Sequence, residues 1–164
     1  MNYPYRFPLL VFCALLMVVL TAGVASADIL TYTANLSGAN EVPPNASTAI
    51  GTGILTLDTE GGLDDIPFYL EFSGLSSAQT GAHVYQGGPT VNGPITYTFP
   101  LGSPLNTTFD LDGLMEIPYL STGSLYVNIL TVNFPDGEIR GQLILTNTVA
   151  NENTTWGSIK TLYR

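Results

Sequence analysis

The one histidine of this chain, His83, stands two residues before Tyr85 in the stretch GAHVYQGGPTVNGP. In a strand, residues i and i+2 share a face, so this imidazole and phenol could hold a metal or pass a proton together. Copper and zinc sites take three or four ligands, chiefly His, Cys and carboxylate. The only cysteine is Cys13, near the N-terminus, so carboxylates would have to complete the set. His83 is therefore expected to be a structural side chain, bonded to a loop carbonyl and packed under the Gly-Pro turn that follows. Glu138 and Arg140 repeat the i, i+2 spacing, and Glu41 is a further carboxylate. A guanidinium grips a carboxylate through two parallel bonds, so a clamp from Arg140 to Glu41 or Glu138 is expected, ahead of an anion-binding role. Asp58, Glu60, Asp64 and Asp65 flank Gly61-Gly62, and Asp110 and Asp112 precede Gly113. Such acids could give oxygens to calcium, but they lack the spacing and closing Glu of a calcium loop. They are expected to be solvated turn residues. No G-x-S-x-G nucleophile turn and no phosphate-binding glycine loop occurs.

The elements that must position these side chains read as strands. Phe68, Leu70 and Phe72 alternate with Tyr69, Glu71 and Ser73; Ile95, Tyr97 and Phe99 share a face; Leu55 and Leu57 alternate with Thr56 and Asp58. Ile139, Gly141, Leu143 and Leu145 form another such face. Period-two alternation offers one face of each strand to a core. Residues 29–36 and 124–132 are further expected strands. Gly61-Gly62, Gly87-Gly88-Pro89, Asn92-Gly93-Pro94 and Pro135-Asp136-Gly137 supply the turns between them. No internal stretch shows a helical period, so the predicted fold is all-β, a single antiparallel β-sandwich.

The first residues carry a positive charge, then the apolar run FPLLVFCALLMVVLTAGV, then Ala25-Ser26-Ala27. That order is the pattern of a cleaved secretory signal. Residues 1–27 are read as the signal, 28–146 as the domain, and 147–164 as a tail forming a terminal strand or short helix. Cleavage would remove Cys13, so disulfides and thiolates are excluded from the mature chain, which must rely on its apolar core. The full sequence has 13 acidic residues, four basic residues and a net charge of −9. Such a surface argues against nucleic acid and anionic membranes as partners. Asn35, Asn45, Asn106 and Asn153 stand in N-x-S/T sequons.

Three separated stretches together resemble the chordin (CHRD) domain of extracellular proteins. The first is LSGANEVPP, containing Glu41, Pro43 and Pro44, followed by TAIGTG. The second is AHVYQGGP with the following Asn92-Gly93-Pro94, and it contains His83. The third is LYVNILT, containing Asn128, followed by NFPDGEIRGQL with Gly137, Glu138, Arg140 and Gly141. Their order and spacing span roughly residues 29–145. The family pattern has a second histidine where this chain has Tyr85, and a third near Ile129 or Leu130. Its histidine-rich form is similar to the His-x-His strand of copper-zinc superoxide dismutases, so the resemblance implies an immunoglobulin-like or dismutase-like sandwich. It also implies an exported, non-catalytic binding or structural module, secreted or held in the cell envelope. The expected partners are an extracellular protein or surface polymer, met through a sheet edge or exposed tyrosines such as Tyr69 and Tyr97, with self-association through strand edges. No cofactor is expected. The alternative is a metal-binding redox protein of dismutase-like architecture using His83, with Tyr85 beside it and copper as its ion; calcium would belong to the acidic clusters.

Overall fold

The computed structural model describes residues 27–61, 63–111 and 116–151. The expected signal up to residue 26, Asp112, Gly113 and the tail beyond Asn151 lie outside the described residues. Nine strands are present: β1 Ala27–Ser37, β2 Ile50–Asp58, β3 Ile66–Ser73, β4 Gln79–Gln86, β5 Ile95–Thr98, β6 Leu105–Phe109, β7 Leu125–Thr131, β8 Ile139–Gln142 and β9 Ile144–Asn151. They form one sheet in the order β5-β4-β7-β8-β1-β2-β3-β6, with β9 following β8 along β1. Every pairing is antiparallel.

The sheet curls into a barrel-like sandwich because its inward side chains demand burial. Ala34 and Leu36 from β1, Leu55 and Leu57 from β2, Phe68 and Leu70 from β3, and Val84, Val127 and Ile139 from β4, β7 and β8 all enter one core. The two end strands meet through aromatic rings. Phe99, just after β5, stacks on Phe68 with centroids 4.6 Å apart, and Tyr97 meets Phe109 edge-on at 4.9 Å. Tyr97 also donates its hydroxyl to the Thr108 carbonyl at 3.2 Å. Tyr97 is therefore part of the closure, and Tyr69 is half-buried with its hydroxyl on Glu71, so neither is the exposed tyrosine expected from sequence. Ile95, read on the same buried face as Phe99, is 51% exposed where β5 leaves the core.

Two more expectations change. A short helix, α1 Glu116–Ser121, appears where no helical period was read. At six residues it is too brief to show a periodicity. The tail begins as strand: Asn147 to Asn151 continue β9 and pair with Thr31 to Ala27 of β1. Leu145, read on the core face, is 47% exposed, because the core thins beyond the buried Leu143.

One local feature positions the site. β1 and β2 alternate between core and outer face, but Leu125 to Ile129 of β7 are buried without interruption, as are Ile139, Arg140 and Gly141 of β8. Both faces of this part of the sheet are covered, the outer one by residues 38–47 and the loop 87–94.

Candidate functional site

The outer faces of β4, β7 and β8 carry His83 and Tyr85, Tyr126 and Asn128, and Arg140 and Gln142. The register pairs His83 with Asn128 and Tyr85 with Tyr126. It also pairs Asn128 with Arg140 and Tyr126 with Gln142. Cross-strand partners share a face, so six polar or aromatic side chains stand together outside the apolar core.

Arg140 is their hub. Its side chain is 1% exposed, and its guanidinium carbon lies 3.4 Å from the centre of the Tyr126 ring. Tyr85 stacks on Tyr126 at 5.0 Å with the rings 5° apart. Since β7 lies between β4 and β8, Tyr126 sits between Tyr85 and the cation, a favourable arrangement once desolvated. Arg140 donates through Nη2 to the carbonyls of Gly88 (2.8 Å) and Val91 (3.0 Å) and to Gln142 Oε1 (3.2 Å), and through Nη1 to Asn92 Oδ1 (3.0 Å). All four acceptors are neutral. The expected clamp to Glu41 or Glu138 is therefore replaced by a clamp on the loop 87–93. The loop offers inward carbonyls at short range, and a five-donor fork satisfies several at once.

Glu138 has other partners. It is completely buried and accepts from Ser47 Oγ (2.8 Å), Ser76 N (2.8 Å), Ser76 Oγ (3.0 Å) and Thr131 Oγ1 (2.6 Å). Burial is the largest single influence and pushes its pKa up, but these hydrogen bonds together hold it below the ordinary carboxylate value. Glu41 is the opposite case. It is 6% exposed and receives one hydrogen bond, from Asn128 Nδ2 at 3.2 Å. Burial pushes its pKa up to about 7, against the pull of Arg140 and of that bond.

Amide side chains fasten the covering segments. Asn92 Nδ2 donates to the Val42 carbonyl at 2.6 Å and joins the loop to the Glu-Val-Pro-Pro stretch. Asn40 donates to the Asn35 and Arg140 carbonyls, Asn45 to those of Gly137 and Glu138, and Gln142 to those of Gly87 and Gly123. Asn45 is thereby occupied as a structural amide, whereas Asn35 and Asn106 are exposed. Gly93 is required where it stands, because a Cβ there would collide with the Gln86 carbonyl oxygen. Its N–H donates to Tyr126 Oη at 3.2 Å, and the Pro94 carbonyl accepts from Gln86 N at 3.0 Å, which closes the loop base.

Between these covers runs an open groove of about 690 Å³. Its walls are Ala39 to Val42 and Pro44 on one side and Pro89 and Thr90 on the other. Its floor is the outer face of β1, β8 and β9, with Thr33, Asn35, Gln142, Ile144 and Thr146. Arg140 and Glu41 lie at its base. The size suits a small ligand or a short stretch of polymer. The groove presents hydroxyls, amides and aliphatic surface, and its two ionisable residues are buried, so it is equipped to hold a ligand by shape and neutral hydrogen bonds.

His83 stands beside this network. It hydrogen-bonds Thr98 Oγ1 on β5 through Nδ1 at 3.0 Å and meets Tyr85 edge-on at 5.9 Å. Burial lowers its pKa. The loop carbonyl and the Gly-Pro turn expected as its partners belong to Arg140. Gly81 leaves the space its imidazole fills. Among the described residues, no group of three His, Cys, Asp or Glu could hold a metal ion. Of the acidic clusters, Asp58 serves a turn by accepting from Glu60 N, and Asp110 accepts from Asp65 N across the chain.

Of the residues singled out from sequence, the structure brings together Glu41, Asn128, Gly137, Arg140, Gly93 and Tyr85. Pro44 joins the groove wall, and Pro43, after a cis Val42–Pro43 bond, is exposed beside it. Gly141 faces inward against the Asn35 backbone, where a Cβ would meet the Asn35 carbonyl oxygen at 2.7 Å. Sequence reasoning missed Asn40, Asn92, Tyr126 and Gln142. The period-two pairs Tyr126/Asn128 and Arg140/Gln142 were the available signal. Residues 32–143 match the family model of the CHRD domain. No curated protein and no solved structure matches the chain.

Proposed function

Because the chain belongs to the CHRD domain family, with most of its length matched, we propose that it is an exported, non-catalytic binding module that takes its ligand in the groove over Arg140. The observation that carries this reading is the commitment of the buried ionisable groups. Arg140 is spent on loop carbonyls and Glu138 on four donors, so both are used to hold the segments that cover the sheet. A general acid or base must be free to exchange a proton with a bound substrate; Arg140 and Glu138 are taken up by the fold, and Glu41 at the groove base is joined to Asn128. The ligand class is an extracellular protein segment or a surface polymer. Self-association through the edges of β5 and β6 belongs to the same proposal, since unpaired edges accept a further strand. Signal cleavage after Ala27 is compatible with the fold, as it leaves the β1 pairing from Asp28 onward and the Asp28 N to Thr59 Oγ1 bond at 2.8 Å.

The test is capture from the native extracellular fraction with the mature chain, compared with Ala39→Trp and Thr90→Trp, which fill the groove from exposed wall positions. Loss of the captured component in both variants, with unchanged melting, supports the groove. Equal capture removes it. Metal analysis runs alongside: stoichiometric copper or zinc, lost in His83→Ala, would replace the binding reading with a redox one.

A further inference from the structure

Among the described residues, the buried side-chain polar atoms without a hydrogen-bond partner are Glu41 Oε1 and Asn128 Oδ1. Both are acceptors when Glu41 is ionised, and both belong to side chains already joined by the Asn128 Nδ2 to Glu41 Oε2 bond. They also occupy one place. A Cβ built on Gly137 would lie 2.6 Å from Asn128 Oδ1 and 2.8 Å from Glu41 Oε1, and closer still to Asn128 Nδ2. Gly137, at φ 139°, is the residue whose missing side chain lets these groups meet.

Leaving two buried acceptors unpaired side by side is costly, and a carboxylate oxygen facing an amide oxygen adds repulsion. One proton removes both faults. On Glu41 Oε1 it turns that oxygen into a donor toward Asn128 Oδ1, while Oε2 continues to accept from Asn128 Nδ2. We infer that Glu41 is held as a neutral carboxylic acid, closed onto the Asn128 amide in a cyclic two-bond pair, and that this pair is a proton-operated latch on the Glu41–Pro44 wall of the groove. The latch deepens the groove reading proposed above, because it sets when that wall is seated.

The surrounding groups agree. Arg140 of β8 favours the ionised form, but its Nη atoms are engaged by the loop. Tyr85 of β4 and Asp136, in the turn before β8, offer no positive charge, and the phenol of Tyr85 is itself pushed up by burial and then by Tyr126, Glu41 and Asp136. Tyr126 of β7 is engaged by Arg140 and by Gly93 N, His83 of β4 is bonded to Thr98, and Glu138, next to Gly137, is occupied by its own donors. The burial-driven rise in the Glu41 pKa to about 7 accords with the geometry. Ionisation releases the proton to solvent and leaves Oε1 charged with no donor. Glu41 then swings outward from Gly137 against the Asn92 hold on Val42, while Asn40 and Asn45 keep the flanks of the segment in place.

The decisive measurement is a pH titration of side-chain carboxyl carbon signals in the mature protein, with Glu41→Gln identifying the resonance and no ligand required. The Glu41 carboxyl is expected to titrate with a midpoint near 7, and the Asn128 side-chain amide signals to shift at the same pH. A midpoint in the ordinary carboxylate range, or an Asn128 amide that stays still, overturns the latch. Glu41→Gln supplies an amide that can donate to Asn128 Oδ1 and accept from Nδ2. It is therefore expected to keep the wall seated, with backbone exchange of residue 41 and of Val42 free of the extra rise near neutrality that the wild type shows. The same extra rise in the variant would equally overturn it. Either failure leaves the groove-filling test standing on its own.

Discussion

Arg140, the one Lys or Arg among the described residues, serves as a hydrogen-bond hub for a neutral loop. Arg140→Met keeps the apolar stem but strands the carbonyls of Gly88 and Val91 and the Asn92 amide. It is expected to lower stability by about 3 kcal/mol in urea unfolding. Arg140→Lys, which cannot fork, should recover only part of that loss. An unchanged midpoint for Arg140→Met would remove the hub. The two buried glutamates act in opposite directions with pH. Glu41 has its folded pKa raised from 4.5 to about 7, so its stability contribution is complete below 4.5 and is lost as pH rises through 7. The full loss is about 3 kcal/mol at 1.36 kcal/mol per pKa unit. Glu138, held low by its four donors, contributes stability above the unfolded carboxylate value and loses it as pH falls through its folded value. Glu41→Gln should therefore flatten the neutral limb of a stability–pH curve and Glu138→Gln the acid limb. Melting curves from pH 3 to pH 9 would show a single unchanged profile if neither assignment holds.

At the scale of elements, the loop 87–93 is a rigid lid held from below. Gly87 N donates to the Ser124 carbonyl at 2.8 Å, Val91 N closes a turn on Gly88 at 3.1 Å, and the Arg140 fork fills the centre. Gly93→Ala is expected to destabilise by about 2 kcal/mol, because the new Cβ meets the Gln86 carbonyl at the loop base. Hydrogen exchange should then rise at the non-proline residues of 87–94 and at Glu41 and Val42, which Asn92 joins, and stay unchanged in β1 and β2. Exchange rising evenly over the whole sheet would mean the loop has no separate stability. The turn itself was readable in Gly87-Gly88-Pro89 and Asn92-Gly93-Pro94, since those residues punctuate strands wherever they occur. Its attachment was not readable, because Asn92 and Gly88 reach Arg140 from 48 and 52 residues away.

The whole molecule closes through aromatic rings where β5 and β6, four and five residues long, end the sheet. Short end strands limit the unpaired backbone on offer. Phe99 is 3% exposed and touches Phe68, Tyr97 and Phe109. Phe99→Ala is expected to cost about 3–5 kcal/mol, with the earliest loss of exchange protection in β5 and β6. Equal loss throughout would place the closure elsewhere. At this scale the groove is a product of the fold: β1, β8 and β9 supply its floor, and two segments far apart in sequence supply its walls.

The sequence by itself determined most of the strands, the turns and the apolar face of β2 and β3. All of these rest on local chemistry, in which side chains alternate and glycines permit tight turns. The tertiary structure decided which polar faces were buried. Tyr126, Asn128, Arg140 and Gln142 look like a solvent face by their period. They become interior only because the 38–47 and 87–94 segments fold across them. It likewise decided that Arg140 would hold carbonyls while Glu41 faced an amide, since a charged group's partner depends on which chain segments arrive beside it.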